Sequence, residues 1–243
     1  MPFFTFQGHR LFYRMQGNGP LLLVLPGNTA SSACHEGELS HFGQQYCAVS
    51  MDFLGTGQSD RVAPWPADWF QQAAHTAAAL IEHLGEKRAI VMGTSGGAIV
   101  ATWLALLHPL RITALIADSE VAVYPPGFWH TAIAERAQYT PGQVGFWTLA
   151  HGADWEDVVR ADSAMIQNIP TGEDIYGGIL GKIACPVLLT ASLVDDLLPR
   201  DVGEQLCAMA RQIPDCQVFL TNQGGHPLMW SRPDDFRAVC DLF

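Results

Sequence analysis

The chain has 243 residues, of which 49% are hydrophobic and only 15% are charged, and its formal net charge is −11. This length can bury one substantial core, and an acidic balance without any Lys/Arg cluster argues against nucleic acid and anionic membranes as partners. The N-terminal residues lack the basic start and long apolar core of a signal peptide. No apolar run approaches the ~20 residues that span a bilayer. We therefore expect a cytoplasmic protein with no membrane segment.

Cysteine and histidine spacing gives no sign of a metal or disulfide framework. The six cysteines and nine histidines are scattered, without C-x-x-C, H-x-x-x-H or H-E-x-x-H patterns. We expect reduced thiols that mostly serve as packing residues. The glycine pair Gly55 and Gly57 lacks the third glycine and the strand–helix context of a nucleotide-phosphate loop. We expect no cofactor and no metal.

Apolar runs of strand length alternate with helical patterns along most of the chain. This alternation predicts a mostly parallel sheet with helices on both faces. The Phe-rich segments 3–6 and 9–15 are typical of an antiparallel hairpin. Buried strands are predicted at 21–25, 46–51, 89–92, 112–117, 186–190 and 217–220, and helices at 67–84, 98–107, 200–211 and 234–243.

Residues 120–184 break this alternation. They contain no convincing buried strand but three or four helical patches, many aromatic residues and punctuation such as Pro125-Pro126. A segment of this length is too long for a loop of a compact domain. We therefore predict an inserted helical lid between two parts of one core, 1–119 and 185–243. Its candidate substrate-binding residues, each of which could instead pack the lid onto the core, are Phe128, Trp129, Phe146 and Trp147.

A serine flanked by glycines marks a candidate nucleophile. The motif Gly93-Thr94-Ser95-Gly96-Gly97 lies between the predicted strand 89–92 and the helix 98–107, which is the context of a nucleophile elbow. The Gly96 N–H is then a candidate oxyanion donor. Asn28, which follows Pro26-Gly27 after the strand 21–25, is the candidate second donor.

A serine nucleophile needs a base, and the base needs an orienting acid. His226 follows the strand 217–220 within Gly224-Gly225-His226-Pro227 and is the candidate base. Asp195 and Asp196 follow the strand 186–190, and Asp118 follows the strand 112–117. All lie where parallel sheets place their sites. We favour Asp195 as the acid and keep Asp196 and Asp118 as alternatives.

Several motifs together resemble the α/β-hydrolase fold superfamily, in particular its lidded single-domain serine hydrolases: carboxylesterases, meta-cleavage-product hydrolases and cofactor-free haloperoxidases. The resemblance implies an eight-stranded, mostly parallel sheet. Pro26 stands where the family usually has histidine, and Ser192 where its acid turn usually has glycine. Ser95 argues against the dehalogenases and epoxide hydrolases, which carry aspartate at this position. The motifs are Leu25-Pro26-Gly27-Asn28, Asp52-x-x-Gly55-x-Gly57-x-Ser59, Gly93-x-Ser95-x-Gly97, Asp195-x-x-x-Pro199 and Gly225-His226-Pro227.

The predicted function is serine hydrolysis of an ester-like bond in a small, largely apolar molecule, by a monomer or homodimer that acts as a carboxylic ester hydrolase. The alternatives are a C–C bond or lactone hydrolase, a non-hydrolytic enzyme of the same fold, or a ligand sensor. Acidic residues outnumber basic ones by eight to three within 120–184, which disfavours anionic substrates.

Overall fold

The computed structural model describes residues 2–243 and contains one eight-stranded sheet. The strand order is β1-β2-β4-β3-β5-β6-β7-β8. β1 and β2 pair antiparallel with their neighbours, and every other pairing is parallel. The predicted mostly parallel sheet is therefore confirmed. The strands are β1 Phe3–Phe6, β2 His9–Gln16, β3 Leu21–Leu25, β4 Cys47–Met51, β5 Ala89–Thr94, β6 Ile112–Asp118, β7 Val187–Ser192 and β8 Cys216–Thr221.

Each helix predicted from the sequence in the core is present, within a few residues of its predicted bounds. Gly85 follows α2 with φ +79°, the left-handed conformation that commonly ends a helix. Two further core helices, α1 and the short α8, were not predicted. The helices are α1 Glu36–Phe42, α2 Trp69–His83, α3 Gly96–Leu107, α4 Phe128–Arg136, α5 Pro141–His151, α6 Trp155–Ile166, α7 Val202–Ala210, α8 Leu228–Ser231 and α9 Pro233–Leu242.

The sheet is buried on both faces, which explains why its central strands read as continuous apolar runs. Successive residues of a strand point to opposite faces, so Leu23 packs into the larger core whereas Leu22 and Val24 pack into the smaller one. The larger core is closed by α2, α3 and α7, and the smaller by α1, α8 and α9. Because β3 to β8 pair in parallel, their carboxyl ends lie at one edge of the sheet.

Residues 120–184, hereafter the predicted lid, carry α4, α5 and α6 between β6 and β7. Their one strand-like pairing is an isolated bridge between Val123 and Asp174. α5 begins at Pro141 and is capped by a reciprocal Thr140–Gln143 box, a favourable helix start.

Between residues 2 and 243, no helix combines the length and apolarity needed to cross a membrane. Over the same range, no three His, Cys, Asp or Glu side chains group so as to hold a metal ion. All six cysteines are free thiols.

Candidate active site

Ser95 occupies the one-residue turn between β5 and α3. Its backbone has φ 54° and ψ −127°, a conformation that is strained for a residue with a side chain and occurs mainly at functional sites. The Ser95 N–H donates to the Asp118 carbonyl at 2.8 Å, and its carbonyl accepts from Ala98 N–H at 2.9 Å. The sheet and the helix therefore hold the strained turn from both sides.

The glycines around Ser95 are required by close backbone approach. A Cβ on Gly93 would overlap the Gly97 carbonyl, and a Cβ on Gly97 would overlap the Leu25 carbonyl. A side chain at either position would therefore push α3 away from the sheet. This close packing fits the elbow geometry inferred from the sequence.

His226 and Asp195 meet across the ends of β7 and β8. His226 Nδ1 lies 2.9 Å from Asp195 Oδ2 and 3.1 Å from Oδ1. The Asp195 side chain is fully buried and that of His226 is 10% exposed. A buried carboxylate bonded to Nδ1 fixes the imidazole orientation and leaves Nε2 as the ring nitrogen free for proton transfer.

Ser192 ties the acid turn to the histidine loop. Its hydroxyl donates to the Gly224 carbonyl at 2.7 Å and accepts from Val194 N–H at 3.2 Å. Asp195 Oδ1 also accepts from Leu197 N–H at 2.9 Å. The serine at this position therefore supplies a crosslink between the two turns, in addition to the contact between Asp195 and His226.

The two alternative acids lie elsewhere. Asp118 is fully buried and accepts hydrogen bonds from the hydroxyls of Thr94 and Thr190 and from Met229 N–H, at 2.7–3.0 Å. Burial raises the pKa of Asp118 to about 6. It joins β5, β6, β7 and α8 and has no hydrogen bond to His226. Asp196 is exposed and lines the cavity beside the site. The structure thus brings Asp195, and neither alternative, to the histidine.

Asn28 and Gly96 lie side by side next to Ser95. An ideal Cβ on Gly96 would be 3.1 Å from Asn28 N, so the two backbone nitrogens are close neighbours. Gly96 opens α3, and its N–H is one of the helix-start donors without an intrahelical acceptor. The two N–H groups predicted to hold an oxyanion are therefore adjacent.

One cavity of about 820 Å³ joins these groups. Ser95, His226, Asn28 and Gly96 line its core side. The four aromatic residues selected from the sequence, Phe128, Trp129, Phe146 and Trp147, all line its predicted-lid side.

Some of these rings also pack the predicted lid. Trp147 is 3% exposed and stacks on Trp155 with ring centroids 5.3 Å apart. Phe128 and Trp129 pack against Tyr124. Lining the cavity and packing the segment are therefore not exclusive roles for these residues.

Sequence reasoning missed Trp230 and Arg136, which also line the cavity. Trp230 lies four residues after His226 on the short helix α8, so an aromatic residue one helical turn beyond the histidine was the available signal. Arg136 on α4 donates to Asp162 Oδ1 at 2.5 Å. No local pattern in the sequence connects these two residues, which are 26 positions apart.

Comparison with known proteins agrees with this architecture. The family model described as alpha/beta hydrolase fold matches residues 20–165, more than half of the chain. Human "Serine hydrolase BPHL" is 25% identical, over 97% of this chain and 83% of that protein. "Putative carbamate hydrolase RutD" from Stutzerimonas stutzeri (strain A1501) is 26% identical, over 95% of this chain and 94% of that protein. A solved hydrolase from Pseudomonas aeruginosa PA01 superposes with a TM-score of 0.77 at 21% identity, covering 98% of this chain and 96% of that one. On the family match and the eight-stranded sheet, this chain belongs to the α/β-hydrolase fold family and is a hydrolase.

Proposed function

We propose that the chain is a serine hydrolase that cleaves an ester-like bond of a small, largely apolar substrate through an acyl-enzyme. The observation that carries the proposal is the shared cavity: Ser95, on its strained turn, lines it together with His226, whose Nδ1 is held by the buried Asp195. Nucleophile, base and orienting acid are the three groups that acyl transfer by serine needs.

In the proposed reaction, His226 Nε2 accepts the Ser95 hydroxyl proton as the oxygen attacks the substrate carbonyl. The resulting oxyanion accepts hydrogen bonds from Asn28 N–H and Gly96 N–H, each contributing on the order of 3 kcal/mol to barrier lowering. Asp195 stabilises the imidazolium. His226 then protonates the leaving group, and a water molecule, deprotonated by His226, releases the acid from Ser95.

The lining of the cavity supports an uncharged, apolar substrate. Five aromatic residues line the predicted-lid side, and about 820 Å³ is enough for a drug-sized molecule. Glu135 and Asp196 line the cavity, whereas the lining guanidinium of Arg136 pairs with Asp162. Carboxylates in the lining disfavour anionic substrates.

The first test is steady-state hydrolysis of p-nitrophenyl acetate, butyrate and octanoate by the wild type and by Ser95→Ala. We expect turnover by the wild type and none above background in the variant. Turnover retained by Ser95→Ala but lost in His226→Ala would refute the acyl-enzyme and favour a non-hydrolytic or lyase reaction of the histidine–aspartate pair. No turnover in folded wild type would refute the general esterase and favour a lactone or C–C bond hydrolase or a sensor.

A second candidate is hydrolysis of a carbamate, because several sequence relatives at 24–27% identity carry the name "Putative carbamate hydrolase RutD". The same nucleophile and oxyanion donors serve an ester or a carbamate carbonyl. A p-nitrophenyl N-alkylcarbamate assayed beside the matched ester separates the two. A higher kcat/KM for the carbamate than for the ester would favour a carbamate hydrolase over an ester hydrolase.

A further inference from the structure

The turn that carries the second proposed oxyanion donor is bonded to the predicted lid at three of its residues. These bonds run to two different helices, α5 and α6, so the turn contacts the predicted lid at more than one place. The hydrogen bonds join Asn28 Nδ2 to Asp162 Oδ2 at 2.7 Å, His151 Nε2 to the Thr29 carbonyl at 3.0 Å and Ser31 Oγ to the Ala150 carbonyl at 2.8 Å.

The backbone of the turn is strained at Thr29, and His151, which binds the Thr29 carbonyl, has a single protonation state and tautomer. Thr29 has φ 56°, a left-handed backbone conformation that is strained for a β-branched residue. Burial lowers the pKa of His151 to about 4, so the ring is neutral. Its Nδ1 accepts from Gly57 N–H at 3.0 Å, and the proton on Nε2 is therefore donated to Thr29. The surroundings, rather than local preference, keep the turn in this shape.

Among these contacts, the one made by Asp162 involves a buried charge. Its carboxylate is fully buried, with Oδ2 accepting from Asn28 and Oδ1 accepting from Arg136. A buried carboxylate is tolerated only with such partners. The guanidinium also cancels a negative charge that would otherwise lie close to the proposed oxyanion and oppose its formation.

The Asn28 side chain, held by Asp162, lies directly against the residue after the nucleophile. An ideal Cβ on Gly96 would overlap Asn28 Oδ1. The rotamer of Asn28 therefore fixes how closely the Asn28 backbone can approach Gly96. Because both proposed donors are on these two residues, that rotamer governs the spacing between the donors.

We propose that Asp162 is a positioning residue for the oxyanion hole. Asp162 holds the Asn28 side chain, so the Asn28 and Gly96 N–H groups are correctly placed only when the predicted lid is packed against the core. Asp162 acts through Asn28 and not on the substrate. This inference rests on the proposed serine-hydrolase function. It gives the predicted lid a part in lowering the barrier in addition to selecting the substrate.

The test compares Asp162→Ala with Asp157→Ala, the same substitution on the same helix at an exposed carboxylate that pairs with Arg160. With p-nitrophenyl acetate, we expect Asp162→Ala to lower kcat about 100-fold with KM within about threefold, because one donor contributes 10²–10³. Affinity for a trifluoromethyl ketone, which adds reversibly to a serine to form an oxyanion, falls in parallel. Asp157→Ala matches the wild type in both readouts.

A double-variant comparison identifies the route. If Asp162 acts through the Asn28 side chain, adding Asp162→Ala to Asn28→Ala lowers kcat by less than about threefold more. Independent, multiplying effects, or a folded Asp162→Ala with wild-type kcat and inhibitor affinity, would overturn the proposal. If Asp162→Ala does not fold, Asp162→Leu fills a similar volume without an acceptor, and the same readouts decide.

The proposed function itself is tested separately, by comparing ester hydrolysis by the wild type and by Ser95→Ala. If that comparison refutes the function, the positioning role is measured by backbone amide hydrogen exchange over residues 27–31, which needs no substrate. Faster exchange in Asp162→Ala, and not in Asp157→Ala, supports the role. Equal exchange in all three proteins refutes it.

Discussion

A buried glutamate just after β6 makes the stability of this protein depend on pH in a way that can be measured. Glu120 is 2% exposed and accepts hydrogen bonds from the hydroxyls of Thr102 and Tyr176. Glu120 is the first residue of the predicted lid, Tyr176 lies near its end and Thr102 lies on α3, so these contacts join both ends of the predicted lid to α3. Both partners are neutral, and desolvation by burial raises the pKa of Glu120 from 4.5 to about 7.

The sign follows from proton linkage. The folded state binds the Glu120 proton more tightly than the unfolded state does, so stability falls with rising pH. The favourable contribution is complete below about pH 4.5 and is lost as the pH passes about 7. At 1.36 kcal/mol per pKa unit, the free energy of unfolding decreases by about 3 kcal/mol over this interval.

The measurement is urea denaturation at pH 5, 6, 7 and 8 for the wild type and Glu120→Gln, which cannot titrate. We expect the free energy of unfolding of the wild type to fall relative to the variant by about 3 kcal/mol between pH 5 and 8. Other titrating groups cancel in this difference. Glu173→Gln, at an exposed position of the same segment, serves as the control and should follow the wild type. Parallel profiles for wild type and Glu120→Gln would refute the reasoning.

Three further predictions concern the site. Asp195→Asn should lower kcat about 10⁴-fold, because the neutral amide no longer fixes the imidazole tautomer or stabilises the imidazolium, whereas Asp196→Asn should stay within about threefold in the same ester assay; equal losses would contradict the observed pairing. Asp118→Ala leaves three donors unpaired and should lower the free energy of unfolding by about 3 kcal/mol or more in urea denaturation. Gly96→Ala displaces Asn28 and should lower kcat about 100-fold while the melting temperature stays at the wild-type value. An unchanged kcat would show that the turn can move to accommodate the added methyl group without loss of activity.

The sequence was most informative where short-range physics decides the outcome. Strands buried on both faces must be apolar throughout, so β3 was identified from Leu21–Leu25 alone. The elbow was evident because only glycine fits at Gly93 and Gly97. α1 was missed because Glu36–Phe42 has only Leu39 and Phe42 as apolar anchors, too few to show a period of 3.6.

Contacts between the predicted lid and the core could not be predicted from the sequence. Asn28 and Asp162 are 134 positions apart, and nothing near either residue indicates its partner. For the acid, the sequence favoured Asp195, the aspartate that the structure pairs with His226, but residue types alone left Asp196 and Asp118 open. Asp195 and Asp196 are neighbours in sequence, yet Asp195 is buried against His226 whereas Asp196 is exposed.

The backbone conformation at Ser95 bears on how this enzyme could be lost or changed. Glycine would adopt φ 54° without steric penalty, so the substitution that most fully removes the proposed nucleophile also relieves a strain of about 1–3 kcal/mol in the fold. An inactive descendant of this chain could therefore arise by one substitution without becoming less stable. On the proposed mechanism, the side chain at that turn serves activity and contributes nothing to folding.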